Sequence, residues 1–391
     1  MSPPVVGVIG GGQLARMTQQ AAIALGVRLR VLAEAADNSA AQVTPDCLVG
    51  DYRDLATVRE FCRGVDVLTF DHEHVPKAVL RALEADGVVC RPGSAAITHA
   101  QDKAEMRRRL TALDVPCPRH RVVATAGDVS GFANEVGWPV VVKTSRGGYD
   151  GKGVWLAESA GDTGLEGGPR TGLDGEPVTE YVAEERLDFR RELAVVVARA
   201  PSGQTAVYPV VESVQRDGVC VEVVAPAPGL SDELALRAQR LALRIAGELD
   251  VVGVLAVELF QTADDRLLVN ELAMRPHNTG HWSIDGAITN QFENHLRAVL
   301  DLPLGSPLAR QPWAVMVNVL GGEVSALHDG LPHVFARDPS LRVHLYGKDV
   351  KPGRKVGHVT AYGAGLADVR ERARHAAAWL RGDLPDGEGE P

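Results

Sequence analysis

Val252-Gly253-Val254-Leu255-Ala256-Val257-Glu258-Leu259-Phe260-Gln261, followed after a short turn by Arg266-Leu267-Leu268-Val269-Asn270-Glu271-Leu272-Ala273, decides how this chain is read. Both runs read as strands, joined by a turn around Asp264-Asp265. Symmetric pairing about that turn sets Glu258 opposite Glu271. Facing residues of an antiparallel pair have β-carbons about 5 Å apart, and two like charges there are destabilising. A cation between them removes the penalty. Carboxylate oxygens, with Asn270 nearby, suit a magnesium ion that also bridges substrate phosphates. Strand parity carries Arg275 and His277 to the same side. A solvated face with a tolerated Glu pair is the alternative, but Leu255, Val257, Leu259 and Leu268 make both strands apolar.

Upstream, Lys143-Thr144-Ser145-Arg146-Gly147-Gly148-Tyr149-Asp150-Gly151-Lys152-Gly153 lies between two apolar runs, Pro139–Val142 and Val154–Leu156, which read as strands. This is a glycine-rich hairpin loop with three cations, suited to folding over polyphosphate. It is not a Walker A loop: the glycine five residues before Gly151 is missing, and Gly153 stands where a magnesium-binding Ser or Thr is needed. Lys143, at a strand end, is a point charge for phosphates.

The first hundred residues alternate strands with helices. Val5–Ile9, Arg28–Leu32, Val67–Phe70 and Val88–Cys90 read as strands. Residues 12–25, 55–62 and 76–85 read as helices, the first with Leu14, Met17, Ala21 and Leu25 on one stripe. Such alternation implies a parallel sheet. Between the first strand and first helix, Gly10, Gly12 and Ala15 match G-x-G-x-x-A, with Glu34 at the end of the next strand. A phosphate at the helix N-terminus is the expectation, and a dinucleotide is the rival. From Lys103 the texture changes. Glu192–Arg199, Thr205–Val211 and Val219–Val224 read as antiparallel strands, and residues 231–249 as a helix capped by Ser231. The Gly- and Pro-containing stretch Ala157–Pro177 reads as a long loop. Domains are placed at 1–102, 103–300 and 301–381, the last closed by a helix over 367–380, with a frayed tail at 382–391.

The chain has 391 residues, 45% hydrophobic, with 41 basic and 51 acidic side chains and a net charge of -10. That suits two or three cored domains and argues against general nucleic-acid binding. Five scattered cysteines without a C-x-x-C pair suit a reducing compartment. No basic segment precedes Val5–Ile9, so no signal peptide is expected, and no apolar run is of membrane-spanning length. Lys351-Pro352-Gly353-Arg354-Lys355-Val356-Gly357-His358 puts cations on a Pro-Gly turn; on composition alone that is a surface loop.

Together these features resemble an ATP-grasp enzyme. Gly11–Met17, Arg146–Gly153, Asn270–Trp282 and Pro352–His358 are similar, in order and along most of the chain, to the signature segments of the N5-carboxyaminoimidazole ribonucleotide synthetase family, also called the phosphoribosylaminoimidazole carboxylase ATPase subunit. The resemblance implies an ATP-grasp fold of α/β and α+β parts, with an N-terminal Rossmann-like domain and a small C-terminal domain. It implies that ATP and bicarbonate react to carboxyphosphate, which carboxylates 5-aminoimidazole ribonucleotide on the way to purines. Lys103 and Lys143 would meet the ATP phosphates under a loop carrying Gly148, Asp150 and Gly151. Glu184, Glu185 and Leu187 would line the adenine, Glu192 would hold the ribose, and Gln215 stands where a His sometimes contacts nucleotide. Glu258 and Glu271, with Asn270, would carry one or two Mg²⁺ ions. The ribonucleotide would lie against Gly11, Gln13, Leu14, Glu73, Tyr149 and Asn278, with Lys348 and Arg354. Arg275, His277, Lys355 and Tyr149 would act at the reacting end. Neither NAD nor biotin is implied. A cytoplasmic homodimer that passes its product to the N5-carboxyaminoimidazole ribonucleotide mutase is implied, with no nucleic acid and no membrane. Residues 71, 72 and 74 depart from the Glu, Phe and Asn more often seen there. A formate-using glycinamide ribonucleotide transformylase and an NAD-dependent oxidoreductase are the alternatives; the second leaves Glu258 and Glu271 without a role.

Overall fold

The computed structural model describes residues 2–148, 151–165 and 178–384. Tyr149 and Asp150, residues 166–177 of the expected long loop, and residues 385–391 of the expected tail lie outside the described residues.

The N-terminal strands are β1 (Val5–Ile9), β2 (Arg28–Ala33), β3 (Asp46–Val49) and β4 (Val67–Phe70), in the parallel order β3-β2-β1-β4. β1 and β4 are buried along their whole length, as a parallel sheet covered on both faces requires. The helix Gln13–Leu25 buries Leu14, Met17 and Ala21 and ends at Gly26, whose φ of 65° a side chain would strain. The strand expected over 88–90 shrinks to a single bridge between Cys90 and Leu68. There the Leu68 N–H donates to the Val89 carbonyl and the Arg91 N–H to the Leu68 carbonyl, both at 2.8 Å. β3, half-exposed at the sheet edge, lacks the apolar run that would mark it in the sequence.

Next come β5 (His120–Val123), β6 (Val140–Thr144), β7 (Val154–Ala157) and β8 (Tyr181–Glu185), an antiparallel sheet of order β5-β8-β6-β7. The helix Ala126–Val136 covers it through Val129, Phe132 and Ala133, and its first turn is closed by a Thr125–Asp128 capping box.

The largest sheet has nine strands: β9 (Phe189–Arg199), β10 (Thr205–Val207), β11 (Val211–Arg216), β12 (Val219–Ala225), β13 (Gly253–Thr262), β14 (Leu267–Ala273), β15 (Trp313–Leu320), β16 (Arg342–Leu345) and β17 (Lys355–Gly363). Its order is β14-β13-β9-β11-β12-β15-β17-β16, with β10 on β9. The single strand expected over 205–211 is two, because Pro209 interrupts the ladder. β12 pairs with β15, so the sheet runs unbroken past residue 300 into the C-terminal strands. The helix Asp232–Glu248, with Ser231 capping the Leu234 N–H as expected, packs Ala238, Ala242 and Ile245 on one face. The helix Leu366–Arg381 packs Val369, Ala373, Ala377 and Leu380 against the C-terminal strands. Among the described residues, no helix is long and apolar enough to cross a membrane.

Candidate active site

Glu258 and Glu271 are direct partners of β13 and β14. The route to that pairing differs from simple symmetry. Next to the turn the pairs are Gln261↔Leu267, Phe260↔Leu268 and Leu259↔Val269, and then Asn270 is skipped. Continued without this bulge, the register would set Glu258 against Asn270. One extra residue therefore brings two carboxylates face to face. Burial first, and then the facing Glu271 and nearby Glu192, push the Glu258 carboxyl up to about 8. Burial pushes Glu192 up to about 7. A carboxyl that would hold its proton at neutrality, 22% exposed and set opposite a second carboxylate, is a donor set that fits a hard divalent cation. Asn270 fits less well as a ligand, since its Oδ1 accepts a hydrogen bond from Lys143 Nζ at 3.1 Å.

Cations converge from two other elements. Lys143, at the end of β6, lies 2.7 Å from Glu184 Oε2 on β8. Lys103 opens the helix Lys103–Ala112, and its Nζ lies 3.5 Å from Glu271 Oε1. Four residues further along that helix, Arg107 is fully buried. Its Nε donates to Glu184 Oε1 at 2.6 Å and its Nη2 to the Asn270 carbonyl at 2.8 Å. Burial opposes ionisation of Glu184, but Arg107 and Lys143 win and hold its carboxyl down at about 2.

Glu73, just beyond β4, joins the N-terminal sheet to this site. Its Oε2 accepts from Arg275 Nε at 2.7 Å and its Oε1 from the Met274 N–H at 3.2 Å. His277 Nε2 stands 3.4 Å from Glu258 Oε1. Burial, Arg275 and Lys355 pull the His277 imidazole well below its usual range, so it is neutral at pH 7.

Apart from Arg107, which lies buried behind it, these charged side chains line one cavity of about 770 Å³. Of the residues expected from the sequence, it gathers Gln13, Leu14, Glu73, Lys103, Lys143, Gly148, Gly151, Glu184, Glu185, Leu187, Glu192, Gln215, Glu258, Asn270, Glu271, Arg275, His277, Asn278 and Lys355. Gly11, Lys348 and Arg354 line a separate cavity of about 280 Å³ instead. Arg354 and Lys355 part company because Lys355 begins β17, while Arg354 stays exposed on the preceding turn. Lys348 contacts Gln13 Oε1, which ties the two cavities together.

The glycine turn does not offer the open anion cradle its sequence suggests. The Gly12 and Ala15 N–H groups donate to the Asp71 carboxylate at 2.9 and 2.7 Å. Glu34 is likewise engaged, 3.5 Å from His72 Nε2. An internal carboxylate thus takes up amides that the G-x-G-x-x-A pattern reserves for phosphate. Asp71, Arg107 and the stacked pair Phe189–Phe260, with ring centroids 4.6 Å apart, are site features that sequence reasoning missed. For Phe260 a signal existed, since it shares the strand parity of Glu258. For Arg107 the signal was its spacing of one helical turn from Lys103. The phenylalanine pair, with Val141, Val154, Leu156 and Leu187, adds apolar surface to the cavity, and Phe260 pairs directly with Glu192 across β13 and β9.

An antiparallel sheet and a larger sheet enclosing a glycine loop, two lysines and paired strand carboxylates define an ATP-grasp enzyme. Accordingly, the sequence model of the ATP-grasp domain matches residues 108–292. The ribonucleotide synthetase preATP-grasp domain matches residues 4–101, and the phosphoribosylaminoimidazole carboxylase C-terminal domain matches 314–372. The chain is 56% identical over 380 residues to an N5-carboxyaminoimidazole ribonucleotide synthase of Mycobacterium tuberculosis, covering 96% of this chain and 88% of the relative. To that of Bacillus subtilis it is 33% identical over 361 residues, covering 91% and 90%. The crystal structure of the Thermus thermophilus synthetase superposes with a TM-score of 0.85 at 37% identity, over 97% of this chain and 99% of that one. The Aspergillus clavatus synthase, in complex with ADP and 5-aminoimidazole ribonucleotide, gives 0.86 at 31% identity, over 97% and 99%. The chain belongs to the N5-carboxyaminoimidazole ribonucleotide synthase family and is an ATP-dependent ligase. That membership, with the Asp71 and Glu34 contacts, removes the oxidoreductase alternative.

Proposed function

We propose that this enzyme carboxylates the exocyclic amine of 5-aminoimidazole ribonucleotide, using ATP and bicarbonate, to give N5-carboxyaminoimidazole ribonucleotide in de novo purine synthesis. The observation that carries this reading is a single cavity. It joins the Glu258/Glu271 pair and two lysines to Arg275, His277 and Lys355. Bicarbonate is a poor electrophile. Attack of its oxygen on the γ-phosphorus releases ADP and yields carboxyphosphate, whose carbonyl carbon then carries a phosphate leaving group. The amine attacks that carbon, and phosphate departs.

Phosphoryl transfer asks for positioning and charge neutralisation more than covalent help. Lys103 and Lys143 supply fixed charge at the phosphates. Glu184, Glu185 and Leu187 bound the nucleoside end, with Glu192 at the ribose. Mg²⁺ held by Glu258 and Glu271 would neutralise polyphosphate charge. Arg275 and Lys355 hold the anionic intermediate, while neutral His277 orients it by hydrogen bonding. The loop that includes Gly148, Tyr149, Asp150 and Gly151 screens carboxyphosphate from water. Gln13, Leu14, Glu73 and Asn278 receive the ribonucleotide, whose phosphate reaches toward Gly11, Lys348 and Arg354. The enzyme works as a cytoplasmic homodimer and hands its product to a mutase.

The test is an ADP-release assay with and without 5-aminoimidazole ribonucleotide and bicarbonate, with product counted in parallel. One product per ADP, dependent on both acceptors, is the expected result. ADP release that ignores the ribonucleotide overturns the reading.

A further inference from the structure

The Asn270 bulge must be held, because a one-residue slip would replace Glu271 by Asn270 opposite Glu258. Both oxygens of Asn270 are held by cations. Arg107 donates to its backbone carbonyl at 2.8 Å, and Lys143 to its side-chain Oδ1 at 3.1 Å. The same two cations share one carboxylate, with Arg107 on Glu184 Oε1 at 2.6 Å and Lys143 on Oε2 at 2.7 Å. Arg107, Glu184, Lys143 and Asn270 therefore form a closed ring linking the helix Lys103–Ala112, β8, β6 and β14. Arg107 has only 1% of its side chain exposed and Glu184 only 4%, so the ring's inner side is dry.

We infer that Arg107 is a positioning residue of the nucleotide–metal site: it pins the bulge that sets Glu258 against Glu271, and it offsets the Glu184 charge so that Lys143 keeps its own for phosphate. The inference rests on the ATP reading above. Two cations on one buried carboxylate leave a net positive charge in the ring. Without Arg107, Lys143 and Glu184 neutralise each other, and the Asn270 carbonyl loses its guanidinium donor. Only a fork-shaped guanidinium reaches both acceptors at once. An ammonium on a lysine stem keeps the charge at Glu184 and gives up the carbonyl.

The two tasks can be separated by substitution. In Arg107→Lys, ATP affinity at saturating Mg²⁺ should stay within about threefold of the parent. The Mg²⁺ concentration that half-saturates ATP binding should rise about tenfold, the loss typical of one charge-assisted hydrogen bond in a dry site. In Arg107→Met both quantities should worsen, each by about tenfold or more. In each variant the half-saturating 5-aminoimidazole ribonucleotide concentration should remain that of the parent. Calorimetric titration of ATP at a series of Mg²⁺ concentrations reads the first two, with no turnover needed. An unchanged Mg²⁺ midpoint in Arg107→Lys overturns the inference. So does an equal loss of ribonucleotide affinity, which would mean general loosening of the fold. If Arg107→Met does not fold, the lysine variant alone decides. Should the parent bind Mg²⁺ and ATP yet ignore ribonucleotide and bicarbonate, the functional reading falls while the Arg107 titration still stands.

Discussion

Glu258→Gln should make the metal-free protein more stable while removing its activity. In the metal-free fold, Glu258 holds its proton up to about 8, against an ordinary value of 4.5, because of burial and the carboxylates facing it. The unfolded chain ionises from its ordinary value upward. Between those two values the folded state binds more protons than the unfolded state, so stability falls as pH rises, by about 1.4 kcal/mol per pH unit for this one group. Below the lower value the stabilisation is fully present, and above about 8 it is gone. Glutamine resembles the protonated acid and does not titrate. At pH 7 the variant should therefore exceed its parent by up to about 3 kcal/mol, and at pH 5 by less than about 1 kcal/mol. Urea unfolding of both proteins in EDTA at the two pH values measures the difference. ATP turnover with Mg²⁺ should fall by about a hundredfold or more, since one of two metal carboxylates is lost. A variant no more stable than its parent at pH 7 would refute the view that these carboxylates are crowded together for a cation.

Three further outcomes are expected. Gly12→Ala places a β-carbon 2.1 Å from Asp71 Oδ2, so Asp71 must leave the two amides it accepts from, at a cost of about 1–3 kcal/mol in thermal or urea unfolding. An unchanged melting temperature would show the contact to be dispensable. Lys355→Met should leave calorimetric ATP affinity nearly intact, while product formed per ADP released drops by about tenfold or more, because the loss falls at the reacting end of the cavity. Wild-type coupling would return the Pro-Gly turn to a plain surface loop. Since His277 is already neutral at pH 7, His277→Asn should lower the rate without removing an ionisation between pH 6 and 8 from the kcat profile. Loss of such a limb would mean that His277 titrates there.

The parts legible in the sequence were those set by near neighbours. Alternating strands and helices identified the parallel sheet, and the Asp264-Asp265 turn identified the β13–β14 hairpin. Ser231 marked a helix start that the structure retains. The Glu258–Glu271 pairing came from symmetry about the turn, yet it holds only because the Asn270 bulge corrects a register that is one residue off nearer the turn. Pro209, visible in the sequence, was the reason that one expected strand became two.

By itself the sequence determined which faces are apolar, where the turns fall and which charged residues lie near the strand ends. Those follow from side-chain periodicity and local backbone preference, which act over a few residues. Only the tertiary structure decided which charges meet. Asp71 reaches the amides of Gly12 from 59 residues away, and Arg107 reaches the Asn270 carbonyl from 163. Neither contact leaves a periodic trace, because nothing in a strand or helix records what packs across it. A buried polar group must find a partner or incur the cost of its lost hydration, and the partner's identity depends on how separate sheets and helices are brought together. For the same reason the glycine turn, an anion site by its local pattern, holds a carboxylate of its own chain.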